Sequence, residues 1–491
     1  IGSGAFGKVL VVQHAASQQL RACKLIAVQT ATQRELVTTE IQLLKSLDHP
    51  HIMRMYEVYF DRGQSGPVDS FYLVTELCQG GDLFARIMHN YKNMKEPMTE
   101  NQVCFYMKMI LSACQYCHNK KIIHRDIKPE NIMFVTQKAS SPLKIIDYGL
   151  ADFMDKIRSQ AQAKRSMTSQ AGDAMRKLAS KVRTTLKSAT QSGLQSQNGG
   201  LMLMQSAGTP HYMAPEMIKG NYDTKADIFS VGIILCQMLT GWHPFYVQGD
   251  DAQAAIAKIG ADEPIRYPEE VWTPVSDNAK SLVESLLAKR PEQRLSAKDA
   301  LAHPWLNDPG KASPFGGADV LSKSIFEGLL QYSSYNKLKK AVLQILAREL
   351  TETEIQELRT KFHALDTERD GLLSPQELLD GMKQIGYDMT ETDLNSVIAA
   401  LDTSGSKRIG YKDFISALIH RRVKFDRQQL WECFKKIDKD QDGSITYEDM
   451  KRIMKAPVTE SEWQEITGAT STGEQLNFEG FCQVMAYVEA T

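Results

Sequence analysis

Apolar and polar residues alternate in the N-terminal part of the chain and then change period. Residues 8–12 and 20–26 read as two strands around a polar turn, and residues 71–77 as another strand. Between them Ile41, Leu44 and Leu47 recur at helical spacing and predict a helix that carries Glu40. Cys114 and Cys117 lie in a helix-like stretch, and the dense apolar run 231–239 predicts a buried helix. Helical periodicity returns over 321–350, where Leu338, Val342, Leu343 and Leu346 stand beside Lys337, Lys339 and Lys340. In the C-terminal third, acidic loops starting at Asp366, Asp402 and Asp438 recur every 36 residues between helical segments. Strands followed by helices place the chain in the α+β class.

Composition narrows this picture. A chain of 491 residues allows two or three domains, each large enough for a core. Its formal net charge of −1 gives no hint of nucleic acid as a partner. The eight cysteines show no disulfide-scaffold spacing, which suits a reducing compartment and a cytoplasmic location. Cys114 and Cys117 form a CxxC without a second one, so core packing is their expected role. The longest uncharged run, 228–249, is a poor membrane span because Gly241 and Pro244 interrupt it. Since the sequence opens at Ile1, already inside a motif, a preceding segment is expected, and any membrane association would lie there.

The chemistry is concentrated in His124-Arg125-Asp126-Ile127-Lys128-Pro129-Glu130-Asn131. Asp126 can take the proton of a hydroxyl attacking a phosphate. Lys128 can reach the moving phosphoryl group, and Asn131 can hold a metal that neutralises phosphate charge. Upstream, Ile1, Gly2, Gly4, Gly7 and Val9 belong to IGSGAFGKV, whose glycines let a backbone lie close over phosphates. That signal alone is weak; here the loop joins two strands instead of opening a helix. Lys24 lies on the second strand and needs a carboxylate to aim it, with Glu40 favoured over Glu35. Farther on, Asp147-Tyr148-Gly149 offers a metal-binding aspartate, and Ala214-Pro215-Glu216 follows it.

These motifs, in this order, resemble those of serine/threonine protein kinases over residues 1–306. The resemblance implies a two-lobed kinase fold, with a small lobe at 1–77 and a large lobe at 78–306. It implies ATP as phosphate donor, Mg²⁺ on Asn131 and Asp147, and a hinge at Thr75, Glu76 and Cys78, with Thr75 as gatekeeper. Tyr148 stands where the family has phenylalanine, keeping the aromatic body and adding a hydroxyl that needs a partner. Asp227 is expected to brace the catalytic loop and Arg294 to pair with Glu216. Asp82 and Glu130 match acidic positions that receive a substrate arginine in related kinases, which implies protein substrates with basic residues near the acceptor.

The segment from Asp147 to Glu216 is longer than such segments need, and 156–206 has the composition of a solvated insertion. Within it Met175, Leu178, Val182 and Leu186 fall on one helical face among Arg176, Lys177, Lys181, Arg183 and Lys187. Such a basic amphipathic helix could dock on the C-terminal region, but a lineage-specific disordered insert is the favoured explanation of the composition.

Residues 366–377 fit a calcium loop of the EF-hand type. Its oxygen ligands would be Asp366, Glu368, Asp370, the Leu372 carbonyl, Ser374 through water, and both oxygens of Glu377, with Gly371 at the sharp turn. Residues 438–449 form a second loop with Asp438, Asp440, Asp442, the Ser444 carbonyl, Thr446 and Asp449, and Gly443 at the turn. Asp449 reaches less far than the usual glutamate, which favours competition by Mg²⁺. The middle loop, 402–413, has Lys407 at the glycine position and neutral Ser404 and Ser406, so no Ca²⁺ is expected there. A fourth unit, aligned on Leu476, has Ala469 first and Gly480 last and reads as a structural partner.

A kinase followed by a linker and junction helix (307–350) and four EF-hand units (351–491) resembles the calcium-dependent protein kinases of plants and protists. The resemblance implies an all-α EF-hand domain of two paired lobes after the kinase. It also implies a junction that restrains the kinase at low calcium and is pulled away by the loaded EF-hands. Lys323, or the lysines at 337–340, could then mimic a basic substrate. Two other readings remain. A calcium-responsive scaffold with an inactive kinase is opposed by the presence of Lys24, Glu40, Asp126, Asn131 and Asp147. A constitutive kinase whose EF-hands only hold structure is the other.

Overall fold

The computed structural model describes the chain except residues 1, 5–6, 16–17, 63–68, 95–97, 139, 155, 158–209, 246–251, 262–263, 309–320, 348–349, 351, 403–404, 420–426, 454–457, 469–474 and 487–491. Ile1, the amphipathic stretch from Met175 to Lys187, Ser404 and Ala469 lie outside the described residues.

The N-terminal strands pair as an antiparallel five-stranded sheet. Its spatial order is Gly2–Gly4, Gly7–Gln13, Leu20–Val28, Asp69–Glu76 and Met55–Asp61. Lys24 sits in the middle strand, opposite Val9 on one side and Leu73 on the other. Helix Ala31–Ser46 begins at Thr30, whose side chain and that of Gln33 cap each other's backbone. Val37, Ile41 and Leu44 share its buried face with Glu40, so packing carries the carboxylate inward.

Below the sheet, helix Glu100–Asn119 is buried along most of its length and is capped by Thr99 and Gln102. The apolar run forms helix Lys225–Thr240, buried from Ala226 to Thr240 and stopped by Gly241 in the left-handed region at φ +68°. The hairpin of Ile132–Phe134 with Leu143–Ile145 holds Asn131 before its first strand and Asp147 after its second.

Two hydrophobic cores result, one built between Ile26 and Leu306 and the other between Leu321 and Met485. In the second, two-residue ladders join the loops in pairs: Leu372–Leu373 with Ile409–Gly410, and Ser444–Ile445 with Leu476–Asn477. The C-terminal region is otherwise helical among the described residues, and the chain as a whole is α+β.

The junction differs from the single periodic segment expected. It forms two helices, Lys323–Ser333 and Lys337–Leu346. The break falls where Ser333, Ser334 and Asn336 compete with the helical backbone, and Asn336 caps the second helix by accepting from the Lys339 N–H. Phe326, Leu329, Leu338 and Val342 are almost fully buried in the second core. The lysines of the second helix considered as substrate mimics have partners in the same region: Lys337 pairs with Glu462 at 2.8 Å, Lys339 donates to the Met485 carbonyl at 3.3 Å, and Lys340 donates to the Ser333 carbonyl at 3.0 Å.

The first pair of acidic-loop units docks on the first core. The Asp48 carboxylate accepts from the Lys412 N–H at 2.8 Å, Ser112 Oγ donates to the Arg369 carbonyl at 2.7 Å, and Leu372 packs against that core. Among the described residues, no helix is long and apolar enough to cross a membrane.

Candidate active site and calcium loops

Three separated segments meet at Lys24. Its ammonium lies 2.8 Å from Glu40 Oε1 and 3.0 Å from Asp147 Oδ1. Burial opposes the charge on Lys24, but the two carboxylates outweigh it and hold its pKa above the ordinary lysine value. Burial likewise works against the Asp147 carboxylate, and Lys24 overcomes it and holds that carboxyl below its usual range. Glu35, the alternative partner, instead takes Lys156 at 3.1 Å. Asp147 adopts a left-handed backbone, φ +61°, and so does Arg125, φ +67°. Non-glycine residues hold that conformation only where surroundings enforce it.

Around Asp126 the catalytic loop closes on itself. Lys128 Nζ is 2.9 Å from Asp126 Oδ2, and Asn131 Nδ2 donates to the same oxygen at 2.9 Å and to the Asp126 carbonyl at 2.9 Å. Asp227 fixes the loop from beneath, accepting from the backbone N–H groups of His124 and Arg125 and from His118 Nε2, each at 2.9 Å. Burial would raise its carboxyl, but His118 and His124 outweigh burial and hold it below the ordinary value. Arg294 grips Glu216 through two nitrogens at 2.6 and 3.2 Å. The donor set suits a hard divalent cation: the Asp147 carboxylate and the Asn131 amide oxygen, whose Nδ2 is turned to Asp126.

The glycine loop is a hairpin, with Gly2 opposite Val9 and Gly4 opposite Gly7. It opens no helix, which removes the dinucleotide-fold reading. Thr75 is buried at the end of strand Asp69–Glu76, and Cys78 is half-buried just beyond. The Glu76 side chain is occupied by Lys144 Nζ at 2.9 Å and the Arg54 N–H at 2.6 Å, and the Glu76 N–H donates to the Arg54 carbonyl at 3.0 Å. Asp82 caps helix Leu83–Met88 through the Ala85 N–H, while Glu130 is exposed, with Asp82 and Asp126 near enough to repel its charge.

The partner of the extra hydroxyl at Tyr148 is Cys117 Sγ, at 3.7 Å. Burial, then Cys117, pushes the Tyr148 hydroxyl well above its usual pKa, so it stays neutral. Sequence reading assigned Cys117 to packing and missed this role. It also missed His118 and Lys144, which local pattern does not distinguish from ordinary helix and strand residues.

The calcium loops differ. At 438–449 the carboxylate oxygens of Asp438, Asp440 and Asp442 lie within 4.8 Å of one another. Asp449 is fully buried; its Oδ2 accepts from Thr446, and its Oδ1 has no hydrogen-bond partner. A buried carboxylate oxygen without a hydrogen bond, with the exposed Arg452 guanidinium 3.9 Å away, beside three clustered carboxylates fits a divalent cation. At 366–377, Asp366 accepts from the Asp370 and Gly371 N–H groups, and Glu377 is bound by Thr367, Glu368 and Ser374. Arg408 enters this loop and reaches Asp370. In the middle loop Lys407 takes the left-handed position, φ +58°, that glycine normally fills.

Comparison with known proteins agrees with this organisation. The protein kinase domain family matches residues 1–174 and 188–306, an EF-hand domain pair matches 355–419, and an EF-hand domain matches 429–460. Calcium-dependent protein kinase 3 of Oryza sativa subsp. japonica is 30% identical over 92% of this chain and 72% of its own length. Calcium-dependent protein kinase 13 of Arabidopsis thaliana is 28% identical over 99% of this chain and 82% of its own. Calcium-dependent protein kinase 2 of Zea mays is 28% identical over 99% and 84%. With a kinase family match over more than half its length and relatives of this kind from end to end, the chain belongs to the calcium-dependent protein kinase family and is a protein serine/threonine kinase.

Proposed function

We propose that this kinase transfers the γ-phosphoryl group of ATP to serine or threonine hydroxyls of proteins with basic residues near the acceptor. We also propose that calcium bound by the EF-hand domain controls it through the junction helices. The observation that carries the reading is Lys24 held by both Glu40 and Asp147, with Asp126, Lys128 and Asn131 joined in one cluster. Lys24 would bind the donor phosphates under the glycine hairpin, with adenine against Thr75 and the Glu76–Cys78 backbone. Asp126 takes the proton from the acceptor hydroxyl, and Lys128 holds the phosphoryl group during transfer. Mg²⁺ on Asn131 and Asp147 would neutralise phosphate charge. Asp82 and exposed Glu130 would receive a substrate arginine or lysine.

The junction supports the regulatory half. Its apolar faces belong to the EF-hand core, and its partners are helices Glu391–Leu401, Tyr411–Ile419 and Arg427–Ile437. A change in how those helices open therefore acts directly on the segment tethered to the kinase. We take the units as 1–306, 307–350 and 351–491, with the junction as part of the second core.

The test is phosphate transfer from Mg·ATP to an arginine-containing serine peptide and to its alanine-for-arginine counterpart, with and without free calcium. Stimulation by calcium and preference for the arginine peptide are expected. Equal rates with and without calcium would remove the regulatory half; equal rates on both peptides would remove the basic-substrate assignment.

A further inference from the structure

The short ladder that joins the first two EF-hand loops sets Leu372 opposite Gly410 and Leu373 opposite Ile409. That register delivers the preceding residue, Arg408, into the loop 366–377. Its guanidinium meets Asp370 through two nitrogens, at 2.5 Å to Oδ2 and 3.1 Å to Oδ1. The second nitrogen also donates to the Leu372 carbonyl at 3.3 Å and lies 3.6 Å from Glu368 and 3.8 Å from Glu377. These four residues are four of the six that the sequence assigns as calcium ligands here. Of the other two, Ser374 would act through water, and Asp366 has both oxygens engaged by backbone N–H groups.

The second pair of loops is an internal control. Its ladder has the same register, Ser444 opposite Asn477 and Ile445 opposite Leu476, so the counterpart of Arg408 is Gln475. Gln475 is neutral and exposed. In that pair Asp438 is held by backbone N–H groups as Asp366 is, but the three aspartates cluster without a guanidinium among them. Asp449 Oδ1 is buried with no hydrogen-bond partner, the exposed Arg452 standing 3.9 Å from it.

We propose that Arg408 is a built-in cation for the loop 366–377, competing with calcium there, so that the chain responds to calcium through the loop 438–449. The inference rests on the EF-hand reading above. A planar guanidinium binds a carboxylate at two points and neutralises part of its charge. A calcium ion needs six to eight oxygens, and to gather them here it must first expel a side chain that is covalently tethered beside the site. The loop so filled is also the one that touches the kinase: Ser112 donates to the Arg369 carbonyl, and Gly371 is packed so closely that a Cβ there would lie 2.3 Å from the His49 ring. The first lobe is thereby a brace on the kinase that keeps its form without calcium, and the second lobe is the sensor.

The experiment is calorimetric titration of the full chain with calcium in magnesium-containing buffer. One calcium per wild-type chain is expected. Arg408→Gln should bind a second calcium, or bind it at least tenfold more tightly than wild type does. Asp438→Ala with Arg408 intact should lose the wild-type site, which tests the proposal even if Arg408→Gln does not fold. Two sites of similar affinity in the wild type, or a titration unchanged by Arg408→Gln, would overturn the role of Arg408 alone. Absence of calcium binding in both wild type and Arg408→Gln would overturn the EF-hand reading with it.

Discussion

His51 accepts a hydrogen bond from His363, with the two Nε2 atoms 3.1 Å apart and the ring planes within 4° of parallel. The direction follows from the neighbours. His51 Nδ1 faces the Leu143 carbonyl at 3.0 Å and must carry a proton, so its Nε2 is the acceptor. His49 obeys the same logic: its Nδ1 accepts from the His51 N–H, and its Nε2 donates to Ser112 Oγ, which donates to Arg369 in the EF-hand loop. The kinase and the first EF-hand lobe thus meet through neutral imidazoles.

This contact makes docking sensitive to acid. Burial, then neighbouring imidazoles and guanidiniums that oppose a further positive charge, lowers the pKa of each: His363, His49 and Arg359 act on His51, and His49, Arg359 and Arg369 act on His363. His49 is lowered to about 3 by burial and Lys144. The undocked imidazoles keep a pKa of about 6.5. Docking therefore has its full stability above about pH 6.5 and loses it as pH falls, because the undocked state takes up the protons. Hydrogen exchange of segments 48–54 and 359–371 should rise, relative to intrinsic rates, from about pH 7.5 to about pH 5.5. His363→Gln, which can turn its amide to accept, should blunt the rise; an identical rise in the variant would refute the assignment.

Asp126→Asn keeps the size of the side chain and removes the base. The turnover rate should fall by about 10²–10⁴-fold while the KM for ATP changes little. Retention of most of the wild-type rate would show that Asp126 does not take the proton.

Arg294 and Glu216 are almost fully buried against each other. Arg294→Ala leaves the carboxylate buried without its partner, and a loss of about 3–5 kcal/mol in unfolding free energy is expected. Chemical denaturation of the full chain reads this as a lower midpoint for the kinase transition. An unchanged midpoint would mean that water replaces the arginine at no cost.

Tyr148→Phe should be mild. The hydroxyl has a sulfur partner at 3.7 Å, a weak bond, and the ring alone fills the space beside His124, 4.6 Å away centre to centre. A stability change of about 1 kcal/mol or less is expected, with peptide phosphorylation retained. Loss of activity would give the hydroxyl a role that packing does not explain.

Much of the active site was legible in the sequence because its chemistry is local. Asp126, Lys128 and Asn131 lie within one short loop, and the calcium-loop donors recur at fixed offsets, so spacing alone shows that they can converge. Helix and strand periods likewise reported the sheet and the buried helices. Tertiary structure alone decided the contacts between distant segments. Lys24 and Asp147 are 123 positions apart, and His51 and His363 are 312 apart. Arg408 is 38 positions from Asp370, and in sequence it belongs to the neighbouring, degenerate loop. Read locally, 366–377 and 438–449 are both credible calcium loops, the second ending in the shorter aspartate. Folding separates them in our proposal, because strand register places Arg408 in the first loop and neutral Gln475 at the equivalent position of the second. Local spacing fixes which donors a segment can offer; the packing of segments far apart in the chain decides which of those donors are already taken.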